Sequence, residues 1–367
     1  MRSRLEDITA FVGERLPMEK MSARSLVTTK TVPVHGMSWA YYLGGIALFT
    51  FLIQLVTGLM LLFYYEPTVS DAHASVEHIS AHVAAGGLVR NLHTWSASAM
   101  ILALLAHMLT AFAMKAFARP REITWLSGVV LLLVAFTFGF TGYLLPWSQI
   151  AVNATKVGLQ SIEEVGRYLP AAAASWPTQL KELIQGEPAV GQATLSRFYA
   201  IHVVILPLAF LATIGLHLVS VQLHGMSQGV DRPTGRTERF FPFFILKDFW
   251  LWGIVFLGLF VLALTLPFES FFSYPLFGAY DPLGATPDGI KPEWYFFFVY
   301  YPLELMPFWI VGLLVNLALV VLVVAPWIFR GTRRRTLRIL AAVATLYLVV
   351  ITLFGQAIYE VFRGGNP

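Results

Sequence analysis

Residues 92–114 read LHTWSASAMILALLAHMLTAFAM, a run with no Asp, Glu, Lys or Arg in which two histidines, His93 and His107, are embedded. About 20 apolar residues are what an α-helix needs to cross the hydrocarbon core of a bilayer. The stretch is therefore expected to be a membrane span, and ionisable groups at such depth are rare and functional by default. Residues 201–222 have the same character, with His202 and His217. Working outward, seven spans are expected, at about 39–64, 92–114, 124–145, 201–222, 249–266, 308–329 and 337–359. The composition agrees: the 367 residues are 57% hydrophobic and 13% charged, where a soluble domain is about 25% charged. The expected fold is an all-α polytopic membrane protein. Residues 1–38 form an N-terminal segment, 39–222 a four-helix bundle and 223–367 a three-helix C-terminal domain that carries a long loop.

The charge distribution orients the chain. Sorting the 25 Lys and Arg by the alternation of spans puts eighteen on the face of the N-terminus and seven on the other. By the positive-inside rule the N-terminus faces the cytoplasm, in a bacterial inner membrane, and the first, third and fifth interspan loops lie outside. The opening thirty residues are polar and of mixed charge, so no cleavable signal peptide is expected. An isoelectric point near 9.2 follows from these inner-face cations and gives no reason to invoke nucleic acid. The outer connections 147–198 and 267–307 are long and rich in Pro, Gly and aromatic residues, as functional loops are. The chain has no cysteine, which excludes disulfides, iron–sulfur ligation and thioether-linked haem.

The histidine spacings are 14 in the second span and 15 in the fourth. At 1.5 Å per residue each pair is about 20–22 Å apart along its helix and returns to within about 40–60° of one face. Both spans run in the same direction, so His93 is level with His202 and His107 with His217. Two imidazoles facing each other at two depths are the ligand set of two b-type haems stacked across a membrane. A packing role or a proton relay is the alternative. Gly44 and Gly58 in the first span, and Gly128 and Gly142 in the third, repeat the interval of 14. Such glycines give a flat macrocycle clearance against the helix, although small residues also serve helix packing. Arg90 and Arg197 lie just outside the outer histidines, where guanidinium groups could pair with haem propionates or anchor the chain at the interface. In the fifth loop, Lys291-Pro292-Glu293-Trp294-Tyr295 precedes three phenylalanines. A carboxylate in such surroundings is raised by desolvation and can accept a proton near neutral pH.

With these motifs in place, the sequence resembles the cytochrome b of bc-type quinol-oxidising complexes, over roughly residues 30–330. The likeness rests on the glycine pairs, Arg90-Asn-Leu-His93, His107, Gly142-Tyr143-Leu-Leu-Pro146-Trp147, Thr194-Leu-Ser-Arg197, His202, His217 and Pro-Glu-Trp-Tyr. The 15-residue spacing, Phe63-Tyr64-Tyr65-Glu66-Pro67-Thr68 and Gly191-Gln192-Ala193-Thr194 look like the cytochrome b6 type, fused to a subunit IV-like part. The resemblance implies that His93 and His202 hold an outer, low-potential haem and His107 and His217 an inner, high-potential one. It implies that Glu293, Tyr295 and Tyr143, with Pro292 and Trp294, line an outer quinol-oxidation site. It further implies a Rieske iron–sulfur protein and a c-type cytochrome as partners, a quinone at an inner site, proton translocation, surrounding lipid and a homodimeric complex. Two other readings stay open, a dihaem membrane anchor carrying electrons for a dehydrogenase and a proton-relaying transporter.

Departures from the family are also legible. Tyr42 stands where the b6 type has a haem-attaching cysteine, so no covalent third haem is expected. Gln222 replaces a basic residue at the inner site, leaving His224, Lys30 or Asp231 as candidate proton donors. Glu304 replaces an arginine beyond the Pro-Glu-Trp-Tyr motif. His73, His78 and His82 are expected on a surface helix under the outer site. Arg333-Arg334-Arg335 are expected to anchor topology.

Overall fold

The computed structural model describes residues 4–20, 29–229, 235–268, 278–284 and 290–362. Asp231 and the cations Arg2, Arg24, Arg232 and Arg363 lie outside the described residues. The chain is built almost wholly of helices. They are α1 (Arg4–Arg15), α2 (Tyr42–Leu62), α3 (Ala72–Ala81), α4 (Gly86–Ala113), α5 (Glu122–Leu144), α6 (Gln149–Val165) and α7 (Trp176–Gln185), followed by α8 (Gln192–His224), α9 (Phe240–Thr265), α10 (Phe297–Leu305), α11 (Phe308–Ile328) and α12 (Arg334–Phe362).

Seven of these, α2, α4, α5, α8, α9, α11 and α12, are long and apolar enough to cross a membrane. They match the seven expected spans, and some extend well beyond them, α4 from Gly86 and α8 from Gln192. Hydropathy marks only the stretch inside hydrocarbon. The helices continue past it through polar residues such as Arg90 and Arg197. Their outward faces stay apolar and exposed, as at Leu208 (62%), Trp250 (75%) and Leu313 (61%), the signature of lipid as solvent.

The shared core lies between α2, α4, α5 and α8. Phe51 and Phe210 are buried there and stack with ring centroids 3.9 Å apart. Phe51 lies midway between Gly44 and Gly58, so this stack separates the two histidine levels. The C-terminal helices are tied on by indole and amide bonds to helix-end and mid-helix carbonyls. Trp125 Nε1 donates to the Leu322 carbonyl (2.7 Å), Trp95 Nε1 to that of Leu266 (3.0 Å) and Asn91 Nδ2 to that of Ala263 (3.2 Å).

Two short strands, β1 (Thr31–Pro33) and β2 (Thr237–Arg239), pair antiparallel with Val32 opposite Glu238. This clasp joins the N-terminal segment to the loop before α9, a detail the apolar pattern of the sequence does not carry. The connection after α5 folds into α6 and α7. Ser148 caps α6 by accepting from the Ala151 amide, and Gly186 ends α7 at φ +85°, a conformation suited to glycine.

α8 carries one irregularity. Ile201–Ile205 form a π turn, in which the Leu206 amide reaches the Ile201 carbonyl, and Pro207 with no amide hydrogen follows immediately. A π turn holds one residue more than an α turn. The 15-residue histidine interval of α8 is thereby reconciled with the 14-residue intervals of its neighbours.

Candidate functional site

The four intramembrane histidines meet as two pairs. His107 and His217 face each other with ring centroids 6.4 Å apart and planes at 74°. Two metal–imidazole bonds of about 2.0–2.1 Å, with the distance from each nitrogen to its ring centre, sum to about that separation. His202 is likewise the ionisable neighbour that acts electrostatically on His93. Among the described residues no three His, Cys, Asp or Glu side chains gather around one point. The donor set therefore suits an ion whose remaining ligands come with it, as in a porphyrin.

Each histidine lies against its own glycine. A Cβ at Gly44 would come within 3.1 Å of His107 Cε1, at Gly58 within 3.4 Å of His93, at Gly128 within 3.4 Å of His217 and at Gly142 within 2.6 Å of His202. The glycine ladders of α2 and α5 thus admit the imidazoles themselves. Three rings are also held at Nδ1: His93 by Thr57 Oγ1 (2.8 Å), His217 by Ser127 Oγ (3.0 Å) and His202 by Thr141 Oγ1 (3.0 Å). These hydroxyls each directly precede a glycine of the ladder, a signal present in the sequence and not read there.

Arg197 donates to the carbonyls of Glu182 (3.1 Å) and Leu183, clamping the end of α7. Arg90 reaches Ser80 of α3 at 3.5 Å. Among the described histidines outside the bundle, His73 is buried on α3, while His78 and His82 stand 5.6 Å apart.

The Pro-Glu-Trp-Tyr segment packs against α4 and α5 of the bundle. Trp294 Nε1 donates to Ser98 Oγ of α4 at 3.2 Å. Tyr295, 6% exposed, lies on Gly139 of α5, where any Cβ would come within 2.6 Å of its hydroxyl. Gly139 is a site residue the sequence reading missed. Glu293 and Tyr143 both act electrostatically on Tyr295, which places the three predicted residues together, and burial with these neighbours holds the Tyr295 phenol well above its usual pKa. It stays protonated and able to donate a hydrogen bond. A strap crosses this end of the molecule. The Tyr280 amide donates to the Trp147 carbonyl (3.2 Å), Lys156 Nζ to the Tyr280 hydroxyl (2.6 Å) and the Asp281 amide to Gln149 Oε1 (2.9 Å). Trp147 holds φ at +48°, strained for a bulky residue.

At the inner end, Lys30 Nζ donates to Gln222 Oε1 and lies over the Phe240 ring at 4.9 Å. The cation absent from position 222 is supplied by the N-terminal segment. Burial lowers Lys30 to about 8. Tyr42 stacks on Phe244 at 4.7 Å, and the Asp248 carboxylate packs over Gly45, next to the glycine that meets His107. His224 bonds through Nε2 to the Arg15 carbonyl (2.8 Å), which docks α1 beside the buried Arg15–Glu122 ion pair (2.7 Å).

Comparison with known proteins bears on this arrangement directly. Residues 26–225 match the family model described as cytochrome b/b6/petB, and 280–361 match the cytochrome b C-terminal/b6/petD model. The chain belongs to the cytochrome b family. It is a cytochrome b of a bc/b6f-type complex, in which b6-like and subunit IV-like parts are fused. It is 44% identical to the cytochrome bc complex cytochrome b subunit of Chlorobaculum thiosulfatiphilum over 271 residues, 73% of this chain and 60% of that one. It is 42% identical to cytochrome b6 of Synechococcus elongatus over 201 residues, 55% of this chain and 89% of that one. A solved structure titled hyperthermophilic respiratory Complex III shares the fold at TM-score 0.73 and 23% identity, covering 97% of this chain and 98% of its own. Membership of the cytochrome b family implies haem b, and the two histidine pairs are where this cytochrome b can hold it.

Proposed function

We propose that the chain is the haem b and quinone-binding core of a quinol-oxidising complex in a bacterial inner membrane. The observation that carries this reading is the joint presence of two histidine pairs at two depths and, at the outer end, a cluster of the buried Tyr295 with half-buried Glu293 and Tyr143. Bound b haems, held by His93 with His202 and by His107 with His217, supply one-electron carriers. A dihaem anchor needs the pairs alone. The outer cluster is what favours quinol oxidation.

The residues divide the work by chemistry. Tyr295 and Tyr143 offer hydroxyls to a quinol, and Glu293 offers a carboxylate that accepts a proton as charge develops. The indole of Trp294, pinned on Ser98, fixes the segment so that these groups hold their geometry. One electron passes to a Rieske iron–sulfur protein and on to a c-type cytochrome. The second crosses by way of the two histidine levels to an inner quinone, where Lys30, Gln222 and Asp248 offer donors and an acceptor. Protons taken up inside and released outside make the cycle electrogenic.

The test is quinol oxidation by the complex carrying Glu293→Gln. Turnover is expected to fall 10²–10⁴-fold, on the order of what a lost general base costs, with both b-haem spectra intact. Unchanged turnover would remove Glu293 from the site.

A further inference from the structure

We infer that Thr57, Ser127 and Thr141 are positioning residues that set the tautomer of three haem-ligating histidines, and that their unequal placement biases electrons toward the inner haem. The inference rests on the haem-binding reading above. A hydroxyl has one proton to give and two lone pairs with which to accept. In all three residues that proton is committed to a backbone carbonyl of the same helix. Thr57 donates to Ile53 (2.6 Å), Ser127 to Thr124 (3.0 Å) and Thr141 to Thr137 (2.8 Å). Each hydroxyl can then only accept from its imidazole, so Nδ1 carries the hydrogen. In a neutral ring Nε2 is left as a bare lone pair, the form that ligates metal. The carbonyls of Phe138 and Thr124 face His202 and His217 as further acceptors, which agrees with the assignment.

The fourth ligand is built differently. The residue before Gly44 is Leu43, and it has no hydroxyl to offer His107. The outer pair therefore has two such bonds, to His93 and His202, and the inner pair one, to His217. A hydrogen bond from the non-ligating nitrogen raises the basicity of the ligand. A more basic ligand stabilises the oxidised iron and lowers the potential. Two bonds outside against one inside make the outer site the poorer electron acceptor, so transfer inward runs downhill.

The test is a redox titration, with optical and EPR spectra, of the haem-loaded complex in four variants. Thr57→Val is expected to raise the reduction equilibrium constant of the outer haem at least threefold, about 28 mV at about 59 mV per tenfold, leaving the inner haem unmoved. Ser127→Ala should do the same to the inner haem alone, and Thr57→Ser should restore the outer one. Leu43→Thr adds a bond and should lower the inner constant threefold, which keeps the proposal falsifiable if a loss variant fails to assemble. Two bound haems with unmoved potentials throughout would overturn the inference. Absence of haem from the folded unsubstituted protein would instead overturn the reading on which it rests.

Discussion

At the residue scale, the site depends on what is missing as much as on what is present. Gly139 has no side chain because Tyr295 occupies that space, so Gly139→Ala should displace the phenol. Quinol oxidation is expected to drop at least tenfold while the haem spectra stay those of the parent; equal turnover would show that Tyr295 is not held there. Lys30 makes a pH prediction with a definite sign. Its pKa is about 8 in the fold, against an ordinary 10.5, because burial disfavours the charged form. The charged amine therefore destabilises the fold fully below pH 8, and that effect disappears as pH rises from about 8 to 10.5. Lys30→Met should be the more stable protein below pH 8 and lose that advantage above 10.5. Thermal melts of the two across that range check it, and parallel Tm curves would contradict the buried-amine account.

At the scale of elements, the π turn of α8 is a counting device. His202 and His217 are separated by 15 residues, and the turn at Ile201–Ile205 takes up the extra one. Deleting Ala212, in the regular part of the helix, should swing His217 relative to His202 by about 100°. A haem count by pyridine haemochrome should then fall from two to one. Deleting Val204 together with Pro207→Ala removes both the extra residue and the proline that favours the wide turn. That chain should keep both haems, and loss of one would mean that the turn has a further role. The apolar runs and the interval of 14 were legible in sequence because a bilayer imposes a length and a macrocycle imposes a clearance. The π turn was not, since a count of 15 reads equally as a 60° offset on a regular helix. The strand clasp was hidden for another reason: three-residue strands have too little pattern to stand out.

At the scale of the molecule, the predicted histidines and glycines came together as the sequence suggested, because helix direction and periodicity suffice to pair them. The Glu293, Tyr295 and Tyr143 cluster was reached by likeness to a family, since nothing in local pattern brings residue 293 to residue 143. Lys30 against Gln222 and Asp248 over Gly45 lay beyond both routes, being tertiary contacts between segments far apart in the chain. Two halves that match two family models are joined here in one chain. Trp125 bonds across them to the Leu322 carbonyl, and Trp95 and Asn91 bond to the carbonyls of Leu266 and Ala263 in the stretch that links them. The central claim is that this bundle holds two haems at two depths. A redox-titrated optical spectrum of the purified protein, with a pyridine haemochrome count, tests it most directly. The account predicts two b-type haems of separate potential, with the outer lost in His93→Ala and the inner in His107→Ala. A well-folded protein with no bound haem, or one haem indifferent to both substitutions, would contradict it.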